Sequence, residues 1–242
     1  MTPPDYIPGQ VYHIYNHANG LELLFPQPKN YGYFLQKIQQ RVEPVAEVLA
    51  YCLLSNHFHL VLRIRSEADV LQRAAATRTG KEQRPYQFPP AVRPEDRCHH
   101  FVEREVRGAL NGYARGVNKV LGRRGNLFRE STHRKLVDHP AYFRSVIRYV
   151  NLNAVHHGLV HHPDDYPYSS FGAYLGDALP LTIPVAEILE RFGGRAAFFA
   201  AHEVTDTRIF VEDLEPSMIA PAPGCWVYRG QEFVRVQPPP FS

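Results

Sequence analysis

The stretch Tyr51–Arg65, YCLLSNHFHLVLRIR, constrains what this chain can fold into more than any other. Leu53 and Leu54 precede the triplet His57-Phe58-His59, and Leu60, Val61, Leu62 and Ile64 follow it without a proline or glycine. Such a run predicts a mostly buried β-strand about ten residues long. Side chains two apart on a strand share a face. His57 and His59 therefore stand side by side, while Phe58 and Leu60 point into the opposite layer. Two imidazoles on one rigid face suit a divalent metal ion. A solvated strand face has the same pattern, so the pair alone leaves both readings open.

Other elements are expected around this strand. Val11 to His17, VYHIYNH, is β-branched and aromatic between Pro8-Gly9 and Asn19-Gly20, which predicts a first strand. His13 and His17 on it either join a site or are surface histidines. Tyr31, Phe34, Leu35 and Ile38 recur at the helical period, predicting a helix over 30–42. A strand over 45–54 follows, separated from the histidine strand by a tight turn at Ser55-Asn56. The polar stretch 66–100, with Pro85, Pro89, Pro90 and Pro94, reads as a partly mobile insertion with a short helix over 68–76. Helical spacing returns over 101–121 and stops at Gly122, and an extended segment is expected over 127–137.

The second informative stretch is AYFRSVIRYVNLN, 141–153. Phe143, Val146, Ile147, Val150 and Ala154 fall within roughly 100° of a helical wheel and form the expected core stripe. Tyr142, Tyr149 and Asn153 lie on a flank, and Tyr149 and Asn153 are neighbours one turn apart. A tyrosine off the stripe beside an amide serves either catalysis or edge packing. Gly158 suits the helix exit. Beyond it come a turn-rich Tyr166–Phe171 and two short helices over 185–192 and 195–202, joined at Gly193-Gly194. The tail after Glu215 is rich in proline, with a strand pair over 225–236.

Composition narrows the class. At 242 residues, 44% hydrophobic and 21% charged, the chain suits a soluble globular protein with one core plus additions. No apolar run approaches the roughly 18–20 residues needed to cross a bilayer. The segment MTPPDYIPGQ lacks the basic flank and apolar core of a signal peptide. Cys52, Cys98 and Cys225 are scattered and odd in number, which argues against a disulfide framework and for a cytoplasmic location. Cys98-His99-His100 has no second half to make a metal cluster. Net charge is only +3, but seven basic residues from Arg115 to Lys135 face Glu130 alone, whereas 203–215 holds five acids against Arg208. The basic stripe fits either a phosphate backbone or a solvated helix face.

Several motifs occur together in order: Tyr12-His13-Ile14, the run from Ala50 to Leu60, Gly125-Asn126-Leu127-Phe128, the run from Arg148 to Val160, and Tyr166-Pro167-Tyr168-Ser169-Ser170-Phe171. Over roughly residues 9–176 the chain resembles the REP-associated tyrosine transposases, a branch of the single-tyrosine HUH transposases. The resemblance implies an α+β, ferredoxin-like catalytic domain over 1–176, in which the 66–100 insertion is longer than the family pattern; the residues beyond, 177–242, read as a mainly helical or irregular C-terminal appendage that the resemblance does not cover. It implies Mg²⁺ or Mn²⁺ on His57, His59 and Asn153, with Tyr149 as the nucleophile that cuts single-stranded DNA beside a hairpin. Arg123, Arg124, Arg129, Arg134 and Lys135 are the expected DNA contacts, and the protein is expected to be a monomer or homodimer away from membranes. The sequence departs from the family pattern after the tyrosine. Asn153-Ala154-Val155-His156-His157-Gly158 stands where Asn-Pro-Val-Arg-Ala-Gly is usual, and Ser55 where proline is common.

The residues themselves support that chemistry. A phosphodiester repels nucleophiles through its charged oxygens, which a metal ion offsets. Two imidazoles favour Mn²⁺ over Mg²⁺ in affinity. A phenol with pKa near 10 must lose its proton as it attacks. A DNA-binding regulator without chemistry and a metal phosphohydrolase using water are the competing readings.

Overall fold

The elements run β1 (Val11–His17), α1 (Pro28–Arg41), β2 (Ala46–Leu54), β3 (His57–Ile64), α2 (Glu67–Ala76), β4 (Arg78–Thr79), β5 (Arg84–Pro85), α3 (Arg97–Leu121), β6 (His133–Val137), α4 (Pro140–His156), α5 (Gly172–Leu175), α6 (Val185–Arg191) and α7 (Arg195–His202), followed by a hairpin of β7 (Trp226–Arg229) and β8 (Glu232–Arg235). This computed structural model describes residues 3–79, 84–129 and 131–203 and the backbone of β7 and β8. The acidic run past Glu203, the prolines after Glu215, Cys225 and Glu130 lie outside the described residues.

β1, β2, β3 and β6 form one antiparallel sheet in the order β2-β3-β1-β6. With α1 and α3 as the crossovers, packed against each other, this is the expected ferredoxin-like α+β arrangement. Period-2 alternation divides the sheet. Tyr12, Ile14, Phe58, Leu60 and Leu62 meet Phe34, Ile38, Phe101 and Tyr113 of the crossover helices in one core. Val11 and Val61 point the other way and meet Val146, Ile147 and Val150 of α4 in a second core. α4 starts at Pro140, where His139 Nδ1 accepts from Tyr142 N at 3.1 Å, and its exit turns at Gly158 with φ 65°. That left-handed φ is one a side chain disfavours.

A second layer covers the far side of α4. His202 Nδ1 donates to Phe198 O (2.7 Å), Asn151 Nδ2 donates to His202 Nε2 (3.3 Å), Ser170 Oγ donates to Asn151 Oδ1 (3.0 Å), and Tyr51 N donates to Ser170 Oγ (2.9 Å). Every link in this buried chain has its donor and acceptor matched. The Tyr166–Phe171 segment also closes the edge of β2. Leu53 N donates to Tyr168 O, Ser170 N to Tyr51 O, and Tyr166 Oη to Leu53 O, so that edge offers little for another strand to pair with.

Two local expectations shift. α3 begins at Arg97, not 101, because a 3₁₀ turn over Pro94–Asp96 feeds directly into it. Cys98 is thereby buried, and His99 Nδ1 accepts from Tyr6 N at 2.9 Å, so these residues fasten the N-terminal segment. The 127–137 segment is a strand only from His133, with Phe128 making an isolated bridge to Ala18. Among the described residues no helix is long and apolar enough to cross a membrane, and Cys52 and Cys98 are free thiols.

Candidate active site

The antiparallel register of β1 and β3 sets His17 opposite His57 and Tyr15 opposite His59. His13, Tyr15, His17, His57 and His59 therefore share the face beneath α4. The His57 and His59 rings lie 5.2 Å apart between centroids and nearly perpendicular, at 83°. From α4, Asn153 places Oδ1 3.2 Å from His57 Nε2. Tyr149 sets its ring edge-on to His59 at 5.4 Å and to His13 at 6.1 Å. The structure thus gathers all four residues expected to carry the chemistry. It also buries them: Tyr149 is 1% exposed, His57 2%, and His59 and Asn153 0%. The flank of α4 is as covered as its core stripe, because it lies against the imidazoles of β1 and β3 and the ring of His156.

His57 sits between two amide oxygens. Its Nδ1 is 2.8 Å from Asn56 Oδ1, and its Nε2 faces Asn153 Oδ1. A neutral imidazole has one N–H and cannot satisfy both. Burial, then the neighbouring His157 and His17, hold the His57 pKa well below the ordinary histidine range, so a second proton is disfavoured. One proton on Nδ1 leaves Nε2 with a lone pair toward the Asn153 amide, and one on Nε2 leaves the lone pair toward Asn56. Asn153 Nδ2 is itself buried without a hydrogen-bond partner among the described residues. The His57 and His59 imidazoles and the Asn153 amide oxygen are the side chains here that would hold a divalent ion, if one bound. Among the described residues no group of three or more His, Cys, Asp or Glu side chains is arranged to hold a metal. The present set is two imidazoles and an amide, and it fits a divalent ion by donor type.

Further histidines crowd the centre. His17 stacks on His57 at 4.9 Å, and the His157 ring lies 4.9 Å from His57 on another side. His156 lies 5.8 Å from Tyr149 between ring centroids. Burial lowers His59 well below its ordinary value, His13 to about 3, and His156 and His157 to about 4. Reading by residue spacing left His13 open between site and surface. The register that brings its Nε2 to 3.0 Å from His59 Nδ1 is a property of strand pairing.

The expected DNA contacts are dispersed. Arg124 and Arg129 are exposed. Arg123 is engaged by Glu22 and by Asn118 Oδ1. Arg134 is ion-paired with Glu103 at 2.7 Å and lies 3.8 Å over the Tyr6 ring. Lys135, opposite His13 in register, reaches over the Tyr15 ring. A groove of about 890 Å³ runs beside α3 on the other face of the sheet from the imidazoles, lined by Arg107, Arg115, Arg129 and Arg134 with Asn16, Asn111 and Asn118. Arg107 and Arg115 lie outside or at the margin of the sequence stretch singled out by charge, yet the α3 period puts them on one face.

No protein-family model matches the chain, and no curated protein matches it. It is distantly similar to a solved structure described as a REP-associated tyrosine transposase bound to a REP hairpin. The identity is 16%, over 76% of this chain and 92% of that one, with a TM-score of 0.49.

Proposed function

We propose that the chain nicks and rejoins single-stranded DNA through a tyrosine-linked intermediate, with Mg²⁺ or Mn²⁺ held by His57, His59 and Asn153. The observation that carries this reading is the meeting of His57, His59 and Asn153 in a buried centre, with His57 Nε2 3.2 Å from Asn153 Oδ1 and the Tyr149 ring edge-on to His59. A bound ion there supplies positive charge to a non-bridging phosphate oxygen. Asn153 and the two imidazoles present the ligand atoms, and Asn56 keeps the proton of His57 on Nδ1. Tyr149 Oη attacks phosphorus and gives up its proton as the bond forms. The bond from phosphorus to the 3′-oxygen breaks and leaves a free 3′-OH. The 5′-phosphotyrosine keeps the energy of the broken bond, so a 3′-OH can displace the tyrosine later without ATP. Arg124, Arg129 and Arg115, all exposed, are the cations best placed for phosphates of a hairpin-bearing strand. Arg107, ion-paired with Glu103 at 2.9 Å, Arg123, Arg134 and Lys135 contribute if their present partners are exchanged for DNA.

One observation favours a second reading, a DNA-binding protein of the same fold without chemistry: the phenol is 1% exposed, so a strand reaches it only if its cover opens. Incubation with labelled hairpin-bearing single-stranded DNA and Mn²⁺ decides between them. The first reading expects a protein–DNA band that survives denaturation and disappears in Tyr149→Phe. Binding without such a band leaves the silent binder. Cleavage that persists in Tyr149→Phe assigns the attack to water.

A further inference from the structure

We infer that His13 is a positioning residue that fixes which nitrogen of His59 faces the cation, an inference that rests on the metal-binding reading above. His13 is fully buried, its ring lies 5.2 Å from that of His59 at 26°, and its Nε2 is 3.0 Å from His59 Nδ1. Two neutral imidazoles carry one N–H each, and only one proton can occupy the contact between them. In one arrangement His13 Nε2 donates to His59 Nδ1. His59 then carries its own proton on Nε2 and has no lone pair there for a metal. In the other, His59 donates from Nδ1, and its Nε2 becomes a ligand. His13 then holds its proton on Nδ1, a buried atom with no hydrogen-bond partner among the described residues.

The pair therefore works as a two-position tautomer switch. Cation binding requires the second position, and His13 supplies the acceptor that makes it possible. An imidazole ligand oriented through its other nitrogen is a general feature of metal centres, and loss of such a partner typically costs about 10–100-fold in metal affinity. Here the partner is a second imidazole in place of a carboxylate or carbonyl, so its own tautomer must change in step.

The test compares Mn²⁺ affinity, followed by the electron paramagnetic resonance of free Mn²⁺, in the full chain and in His13→Phe, His13→Gln and His57→Ala. Phenylalanine keeps a ring but no acceptor, whereas the glutamine carbonyl can accept from His59 Nδ1. Expected are a roughly 10–100-fold loss in His13→Phe and recovery of most of it in His13→Gln. In the unmodified protein loaded with diamagnetic Mg²⁺, imidazole ¹⁵N shifts should place the proton of His59 on Nδ1, a readout that needs no variant to fold. A His13→Phe protein that folds and binds Mn²⁺ as tightly as the unmodified chain overturns the inference while leaving the metal centre standing. So does a loaded His59 protonated on Nε2. Mn²⁺ binding that is absent, or unaffected by His57→Ala, overturns both.

Discussion

At the scale of single residues, the centre is defined by two imidazoles and an amide buried against one another. Asn153 lies 3.2 Å from His57 Nε2, so a change of charge at this side chain acts directly on the centre. Asn153→Asp should therefore act in opposite directions on two measurements. A buried carboxylate without a counter-ion destabilises the metal-free protein, while the added charge strengthens the attraction to a cation. Thermal melting in chelator should shift down, and Mn²⁺ affinity should rise about tenfold, which corresponds to about 1.4 kcal/mol. A fall in both would place Asn153 in packing alone. The local part of this was legible in the sequence. Residues two apart on a strand and four apart on a helix are neighbours whatever the rest of the chain does, so His57 with His59 and Tyr149 with Asn153 could be paired in advance.

At the scale of elements, α4 is buried on both sides, and its outer side depends on a relay through Ser170 and His202. Ser170→Ala removes the acceptor of Tyr51 N and the donor to Asn151 Oδ1 in one step. Leaving buried polar groups unmatched costs about 1–3 kcal/mol each, and urea unfolding should show a loss of that order with an unchanged denaturant slope. A loss below about 0.5 kcal/mol would mean that the relay is not what holds the second layer to α4. The residues of this relay stand in the Tyr166–Phe171 segment and in α7, far from α4 in sequence. No periodicity connects them to Asn151, just as none connects Tyr149 to the His13 and His59 rings that cover its flank.

At the scale of the whole molecule, the sheet separates two kinds of surface, buried neutral imidazoles under α4 and exposed guanidinium groups beside α3. The first kind makes stability depend on pH. His13, His156, His157 and His202, pushed by burial to between about 3 and 4, and His57 and His59, which burial also holds well below the ordinary range, remain neutral in the fold near neutral pH. An unfolded histidine takes a proton below its ordinary value near 6.5. Both states are neutral above that value. Below it the unfolded chain binds more protons, so stability falls as pH drops, and each ring's contribution levels only once pH passes that ring's folded value. Urea midpoints in metal-free buffer should drop between pH 7.5 and pH 5, and equal midpoints would contradict the burial of these rings. The second kind of surface makes DNA binding depend on salt. Arg107→Ala with Arg115→Ala should weaken binding of hairpin DNA and flatten the plot of log K against log salt by about 1 per lost phosphate contact. An unchanged slope would remove the α3 groove from the DNA path.

The sequence by itself determined the histidine strand, the helix that carries tyrosine and asparagine together, and the sheet-and-helix class, because each follows from repeats of 2.0 and 3.6 residues that act over a few positions. Only the tertiary structure decided that His13 meets His59, that Arg134 is held by Glu103, and that the phenol is covered. These are contacts between residues 46, 31 and many more positions apart, set by strand register and by the packing of one layer on another, which local periodicity does not encode.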